Sequence, residues 1–255
     1  MIPNIVHFVN LVGESKKPWQ MHHYFAVKSA LVNSKFEKAT IWVDKHPGGE
    51  WWEATKKLPN VYINAVVPPT EIFGKPITQP AHQSDVLRLQ ILIDQGGVYA
   101  DTDTIFVKPF DILFNEKFVL GHQGPDGVEG LCPAIIASEK DAAFGKHWLS
   151  GFQESFMGGA PGTNGWCTHS VIYPAWLAER MPNEISIANY QAFFWPLYHT
   201  DHMKALFEDE YPFPNAYSHH LWESSGKEYL NNITLEDIRT KRTTYNNLVR
   251  HLIDE

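Results

Sequence analysis

Positive charge is scarce in this chain: 21 Lys and Arg stand against 29 Asp and Glu, a formal charge of −8 over 255 residues. A nucleic-acid backbone needs clustered cations to neutralise its phosphates, so no nucleic acid is expected as a main partner. Cysteine is scarcer still. Cys132 and Cys167 are the only two and form no C-x-x-C pair, which indicates neither a disulfide framework nor a zinc ribbon. No apolar run approaches the roughly 20 residues that span a bilayer, so no transmembrane segment is expected. The opening residues Met1 to Phe8 lack the charged flank and cleavage site of a signal peptide. The expectation is a soluble, cytoplasmic protein. Without a leader, the sequon Asn232-Ile233-Thr234 reads as a chance match. Aromatic residues, by contrast, are plentiful: 9 Trp, 10 Tyr and 15 Phe. Much of this is core, but aromatic faces also stack on nucleobases and sugar rings.

The length suits one α/β domain, and no repeat or linker marks a second. Ile2 to Leu11 reads as a buried parallel strand, followed by a helix from Pro18 through Val32. Ala39 to Asp44 is a second strand, Glu50 to Leu58 a short helix and Asn60 to Val67 a third strand. This β-α-β-α-β order predicts a parallel sheet with right-handed crossovers. A proline-rich loop from Val67 to Pro80 leads to a helix over Ala81 to Gln95, ended by a left-handed cap at Gly96. Strands follow at Val98 to Ala100 and Thr104 to Val107, then at Phe118 to Gly121 and Ala134 to Ser138. Helices are expected at Asp141 to Ser155, Ser170 to Met181 and Leu235 to Leu252, with a glycine-rich loop from Met157 to Gly165.

Chemistry concentrates in Gly96-Gly97-Val98-Tyr99-Ala100-Asp101-Thr102-Asp103. Carboxylates are costly to bring to the lip of an apolar strand unless something compensates them. In an extended chain Asp101 and Asp103 point to one side, because side-chain direction has a period of two. They can then share a divalent cation, and oxygen ligands favour Mg²⁺ or Mn²⁺ over zinc. The bland alternative is a solvated acidic turn.

The segment upstream decides between them. Gln83-Ser84-Asp85-Val86-Leu87-Arg88 through Gly96-Gly97-Val98-Tyr99-Ala100-Asp101-Thr102-Asp103 resembles the signature of the glycosyltransferase family whose sugar-binding region contains a D-x-D motif. Ile2-Pro3-Asn4-Ile5-Val6-His7-Phe8 is similar to that family's first strand, and Ser218-His219-His220-Leu221-Trp222-Glu223-Ser224-Ser225 is more loosely similar to its closing His-x-Trp-x-x-Ser segment. Glu223 departs from the pattern, where a small residue is usual. The resemblance implies a single GT-A domain over residues 1–255 with a mixed, mainly parallel sheet. Residues 1–110 would bind nucleotide-sugar and residues 111–255 would face the acceptor. Such folds are related to capsular polysaccharide and initiating mannosyl- or galactosyltransferases. The implied reaction is retaining transfer from a UDP- or GDP-sugar to a glycan, polysaccharide or lipid-linked acceptor, with Mn²⁺ or Mg²⁺.

Carried over to this chain, the resemblance makes Asp103 the more direct metal ligand and gives Asp101 to ribose, sugar or metal-bound water. It sets Asp85 and Arg88 on the donor sugar and its phosphate, completing a catalytic set with the two aspartates. His7, Phe8, Ser84, Gly97, Tyr99, Thr102, His219, His220 and Trp222 would line the donor site. Adjacent histidines on an extended segment face opposite ways, so only one of His219 and His220 can enter the site, and His219 is the expected metal ligand. His22-His23 and the pair His199 and His202 read as ordinary surface or core histidines. The glycine loop is a candidate acceptor lid. Two rivals remain. Asp101-Thr102-Asp103-Thr104 also resembles the opening motif of haloacid-dehalogenase-type phosphatases, but no Gly-Asp dipeptide supplies their later acidic pair. A non-catalytic nucleotide-sugar-binding module is the other.

Overall fold

A computed structural model describes residues 1–13, 17–163 and 165–253. The chain begins with β1 (Ile5–Asn10), α1 (Met21–Val32), β2 (Lys38–Val43), α2 (Glu50–Thr55) and β3 (Val61–Ala65). A small hairpin of β4 (Glu71–Ile72) and β5 (Lys75–Pro76) lies within the expected proline-rich loop. Then come α3 (Pro80–Gln95), β6 (Gly97–Ala100), β7 (Thr104–Phe106), β8 (Phe118–His122) and β9 (Leu131–Ser138). Helices α4 (Ala143–Ser150), α5 (Phe152–Ser155) and α6 (Tyr173–Arg180) precede β10 (Ser186–Ala188), α7 (Tyr190–Phe193) and α8 (Thr200–Phe207). The chain closes with β11 (Ser218–His220), α9 (Glu223–Asn232), α10 (Leu235–Thr240) and α11 (Thr244–Val249).

Seven strands form the central sheet in the order β10-β8-β9-β6-β1-β2-β3. The β3-β2-β1-β6 side is parallel, as the alternation of strands and helices predicts. Beside it, β9 runs antiparallel to both β6 and β8, and β10 is parallel to β8. The sheet is thus mixed and continuous across the two halves of the chain. Its period-two alternation feeds two cores. Val98 and Ala100 pack on one face with Phe8 and Ile41, while Tyr99 packs on the other with Leu89, Leu120 and Ile136.

Three expected helices are interrupted. The one over Asp141 to Ser155 divides at Gly151, where a Cβ would lie 2.2 Å from the Tyr173 ring. The next begins as a π-turn, Thr168–Ile172, before Pro174 enters the first turn of α6. The C-terminal one splits into α10 and α11, each started by a threonine cap at Thr234 and Thr243. Gly96 ends α3 at φ 68° but with ψ −165°, so it is not a left-handed helical cap; it occupies a region that only glycine enters readily. Asn164, in the expected glycine loop, lies outside the described residues. No helix among the described residues is long and apolar enough to cross a membrane.

Candidate active site

The acidic pair sits where β6 leaves the sheet. Asp101 and Asp103 are not on an extended strand, as the period-two reading assumed. They occupy a turn closed by the Thr104 N–H on the Asp101 carbonyl at 3.1 Å, and the chain then enters β7. The carboxylates still converge, because separate contacts aim each of them. The Tyr99 hydroxyl donates to Asp101 Oδ1 at 2.5 Å, and Arg88 Nη2 lies 3.5 Å from the same oxygen. The Glu223 backbone N–H, at the start of α9, donates to Asp103 Oδ2 at 2.8 Å. A helix N-terminus is a favourable place for that negative charge.

The third member comes from far along the chain. β11 pairs antiparallel with β7, setting His220 opposite Thr104 and His219 opposite Ile105, and the Leu221 N–H bonds the Asp103 carbonyl at 2.9 Å. His220 Nε2 then lies 3.0 Å from Asp103 Oδ1 and 3.8 Å from Asp101 Oδ2. His219 faces the other way, with its Nδ1 on the Trp195 carbonyl at 2.7 Å, and burial pushes its pKa down to about 4. The expected choice of His219 as metal ligand is therefore corrected: register places His220 at the aspartates.

Each carboxylate has one oxygen held by the protein and the other turned toward His220 Nε2. The ligand atoms of Asp101, Asp103 and His220 lie within 4.8 Å of one another. Two carboxylate oxygens and one imidazole nitrogen suit Mn²⁺ or Mg²⁺ and leave positions for water and phosphate oxygens. The residues fit such an ion. Burial holds the Asp101 pKa above the ordinary carboxylate value. Burial acts on Asp103 in the same sense, but the charge and hydrogen bond of His220 and the Glu223 N–H outweigh it and hold its pKa low.

Behind this cluster lies a second polar layer on α3. Asp85 is 7% exposed and accepts from His169 Nε2 at 2.9 Å, while Arg88 Nη2 lies 3.2 Å from its other oxygen. Burial works against the Asp85 anion, but Arg88 and His169 prevail and keep its pKa below the ordinary value. The guanidinium of Arg88 also donates to the Pro133 carbonyl at 2.8 Å and lies over the Tyr99 ring at 4.5 Å. Its donors are thus taken up by the protein. Arg88 orders Asp85 and Asp101, and Asp85 lies behind it.

A cavity of about 450 Å³ opens over the aspartates, with Ser84, Arg88, Tyr99, Thr102, His220 and Trp222 among its walls. Five expected donor-site residues do not line it: Asp85 and His219, placed above, and His7, Phe8 and Gly97. His7 is buried between Gly96 and Trp42, its Nε2 3.0 Å from the Gly96 carbonyl. Phe8 is a core residue, and Gly97 is packed so tightly that a Cβ would lie 2.6 Å from Ile5 Cγ1. Sequence reasoning missed Asn10, Lys17 and Glu223, which do line the cavity, and His169 behind it. The departure at Glu223 from the family pattern was the one visible signal. His22 and His23 are core histidines facing Glu223, and His199 and His202 join no metal-capable group among the described residues.

Comparison with known proteins identifies the family. Residues 30–119 match the family described as glycosyltransferase sugar-binding region containing DXD motif. The glucan organizing enzyme 1 of Cryptococcus neoformans var. grubii is 33% identical over 268 residues, covering 99% of this chain and 71% of that protein. The chain belongs to this glycosyltransferase family. Among solved structures, the apo form of the Streptococcus pneumoniae glycosyltransferase GlyE aligns with a TM-score of 0.54 at 9% identity, covering 99% of this chain and 61% of that one. A second GlyE structure gives 0.53 at 10% identity, covering 100% and 61%. The architecture is the GT-A fold, and the glycosyltransferase displaces the phosphatase and non-catalytic readings.

Proposed function

We propose that this glycosyltransferase moves a sugar from a UDP- or GDP-sugar to a glycan, polysaccharide or lipid-linked acceptor, retaining the anomeric configuration and using Mn²⁺ or Mg²⁺. One observation carries the reading: the ligand atoms of Asp101, Asp103 and His220 converge within 4.8 Å of one another beside an open polar cavity. The ion, when bound there, neutralises the departing diphosphate and makes it a better leaving group. Tyr99 and the Glu223 N–H hold the two carboxylates in place before anything binds, so little reorganisation is left for the reaction. Arg88 fixes Asp101 from behind. Trp222, at the cavity rim, packs on His220 with ring centroids 4.3 Å apart and limits its rotation. The residues after 110 supply the acceptor side and, through His220, Trp222 and Glu223, part of the donor site as well.

No side chain of the cavity is assigned as a covalent nucleophile. Transfer on the same face through a short-lived oxocarbenium ion, with the leaving phosphate taking the acceptor proton, demands least of the protein. An isolated glycosyl-enzyme adduct under turnover would refute that route.

The test is thermal stabilisation by UDP, GDP, CDP and dTDP, each with and without Mn²⁺. A ligand present at about 100 times its Kd adds about 2.7 kcal/mol to native-state stability. A Mn²⁺-dependent rise in Tm with one of them, absent from Asp103→Ala, supports the reading and identifies the donor base. No rise with any of the four refutes it.

A further inference from the structure

β9 runs antiparallel to β6 with Ala100 opposite Ile135, and the Asp101 N–H bonds the Ala134 carbonyl at 2.8 Å. The start of β9 therefore lies beside Asp101, and the connection from β8, residues 123–130, reaches the same edge of the sheet. Glu129 stands in that connection. Its Oε2 accepts from the Gln123 amide at 3.0 Å and lies 3.4 Å from the Tyr198 hydroxyl. Its Oε1 lies over Gly124, where a Cβ would come within 3.2 Å of it.

Tyr198 links this carboxylate to the wall of the cavity over the aspartates. Its ring meets that of Trp222 in a T-shaped contact, with centroids 5.3 Å apart, and Trp222 in turn packs on His220. The Trp222 indole N–H bonds the Pro196 carbonyl at 2.9 Å and ties the segment before α8 to that wall. Trp222 stands at φ 51° and ψ 58°, a left-handed region that a bulky side chain enters only where its surroundings hold it. Tyr198 is nevertheless 37% exposed. Among the described residues no cation pairs with Glu129, and its Oε1 has no donor. Burial and the Glu129 carboxylate hold the Tyr198 pKa above its ordinary value, so the phenol stays neutral. An exposed ring beside a carboxylate with an open oxygen suits a sugar, whose C–H face stacks on the ring while its hydroxyls donate to the anion. A carboxylate with no cation at hand repels a phosphate.

We propose that Glu129 and Tyr198 form the acceptor subsite and select a neutral saccharide over a phosphate-bearing acceptor, which rests on the nucleotide-sugar reading above. The acceptor ring lies against Tyr198, and its hydroxyls donate to Glu129 Oε1. Gln123 holds the other oxygen of that carboxylate in place. Trp222 touches both Tyr198 and His220, so it is the wall that this subsite shares with the metal-binding cluster.

The experiment follows nucleoside diphosphate release by the full chain with Mn²⁺ and UDP-glucose, UDP-galactose or GDP-mannose. The acceptors are maltotriose, laminaritriose, mannotriose and galactotriose, set against the 6-phosphates of glucose, mannose and galactose. One of the neutral saccharides should accelerate release by the wild type, with a lower KM than any of the sugar phosphates. Glu129→Ala and Tyr198→Leu should each raise that KM about tenfold, as befits a lost charge-assisted hydrogen bond and a lost stacking face. Tyr198→Phe keeps the ring and should retain most of the affinity, and Glu129→Gln should narrow the gap between neutral and phosphorylated acceptors. The Kd for nucleoside diphosphate, read by calorimetry, and the ligand-free Tm should stay at their wild-type values. A wild-type KM in both Glu129→Ala and Tyr198→Leu overturns the proposal, as does an equal loss of nucleoside diphosphate affinity. Acceleration by sugar phosphates alone, or by none of the saccharides, also overturns it, and the transferase reading stands as long as the wild type binds a nucleoside diphosphate with Mn²⁺. Absence of that binding overturns the underlying reading, and this proposal with it.

Discussion

Removing His169 should expose how much of the site is held from behind. His169 is fully buried on the π-turn before α6, and its Nε2 meets Asp85 Oδ2 at 2.9 Å. Its ring is packed among His82, Phe152 and Phe156, with centroids 4.8–4.9 Å away. His169→Ala deletes a hydrogen bond to a buried carboxylate, a loss of about 1.5–3 kcal/mol, and opens a cavity among those rings that adds about 1 kcal/mol or more. The expected destabilisation is about 3–4 kcal/mol, or roughly 6–16 °C in Tm for a chain of this size. His169→Gln places an amide N–H near the lost Nε2 and should recover about half of that loss. Urea unfolding followed by tryptophan fluorescence measures both. The Trp148 indole bonds the His169 backbone carbonyl at 2.8 Å, a contact that neither substitution deletes. If His169→Ala unfolds within 1 kcal/mol of the wild type, or if glutamine is no better than alanine, the buried bridge to Asp85 is not what holds Arg88 and Asp101 in place.

Tyr99→Phe frees Asp101 Oδ1 and should weaken Mn²⁺ binding about tenfold, because groups that orient metal ligands matter on that scale. Its effect on stability should stay near 1 kcal/mol, and calorimetric titration of the ion reads the first while urea unfolding reads the second. Gly96→Ala forces a Cβ to within 2.7 Å of the Lys140 backbone nitrogen at a φ of 68°, so it should cost about 2 kcal/mol or more. A thermal melt within 2 °C of the wild type would contradict that. Burial pushes the His7 pKa down to about 4, whereas the unfolded chain protonates it near 6.5. The unfolded state therefore takes up the proton first, and stability that is complete above pH 6.5 is lost as pH falls toward 4. His7→Gln, whose amide can still reach the Gly96 carbonyl, should flatten this limb by about 2–3 kcal/mol between pH 7 and 4.5, measured by urea unfolding at both values.

Much of the fold was legible because local chemistry repeats it. The apolar run at β1, the β-α-β-α-β order and the double glycine before β6 each depend on near neighbours, and the parallel side of the sheet followed from them. Helix breaks were less legible. The break falls at Gly151, where Tyr173 packs too closely for any side chain, and nothing near Gly151 in the chain announces that contact.

The site divides in the same way. The sequence by itself determined the family, the acidic pair and the Ser84–Arg88 segment, since these belong to one contiguous strand-and-helix motif. It also established that one histidine, not both, could face the aspartates. Only the tertiary structure decided that this histidine is His220, because the register of β11 against β7 is set by long-range pairing across more than a hundred residues. The same long-range packing moved His7 and Phe8 out of the donor cavity and brought His169 onto Asp85. It also brought Tyr198 to Glu129. Side-chain type travels with the local sequence, whereas which side chains meet depends on where distant elements dock.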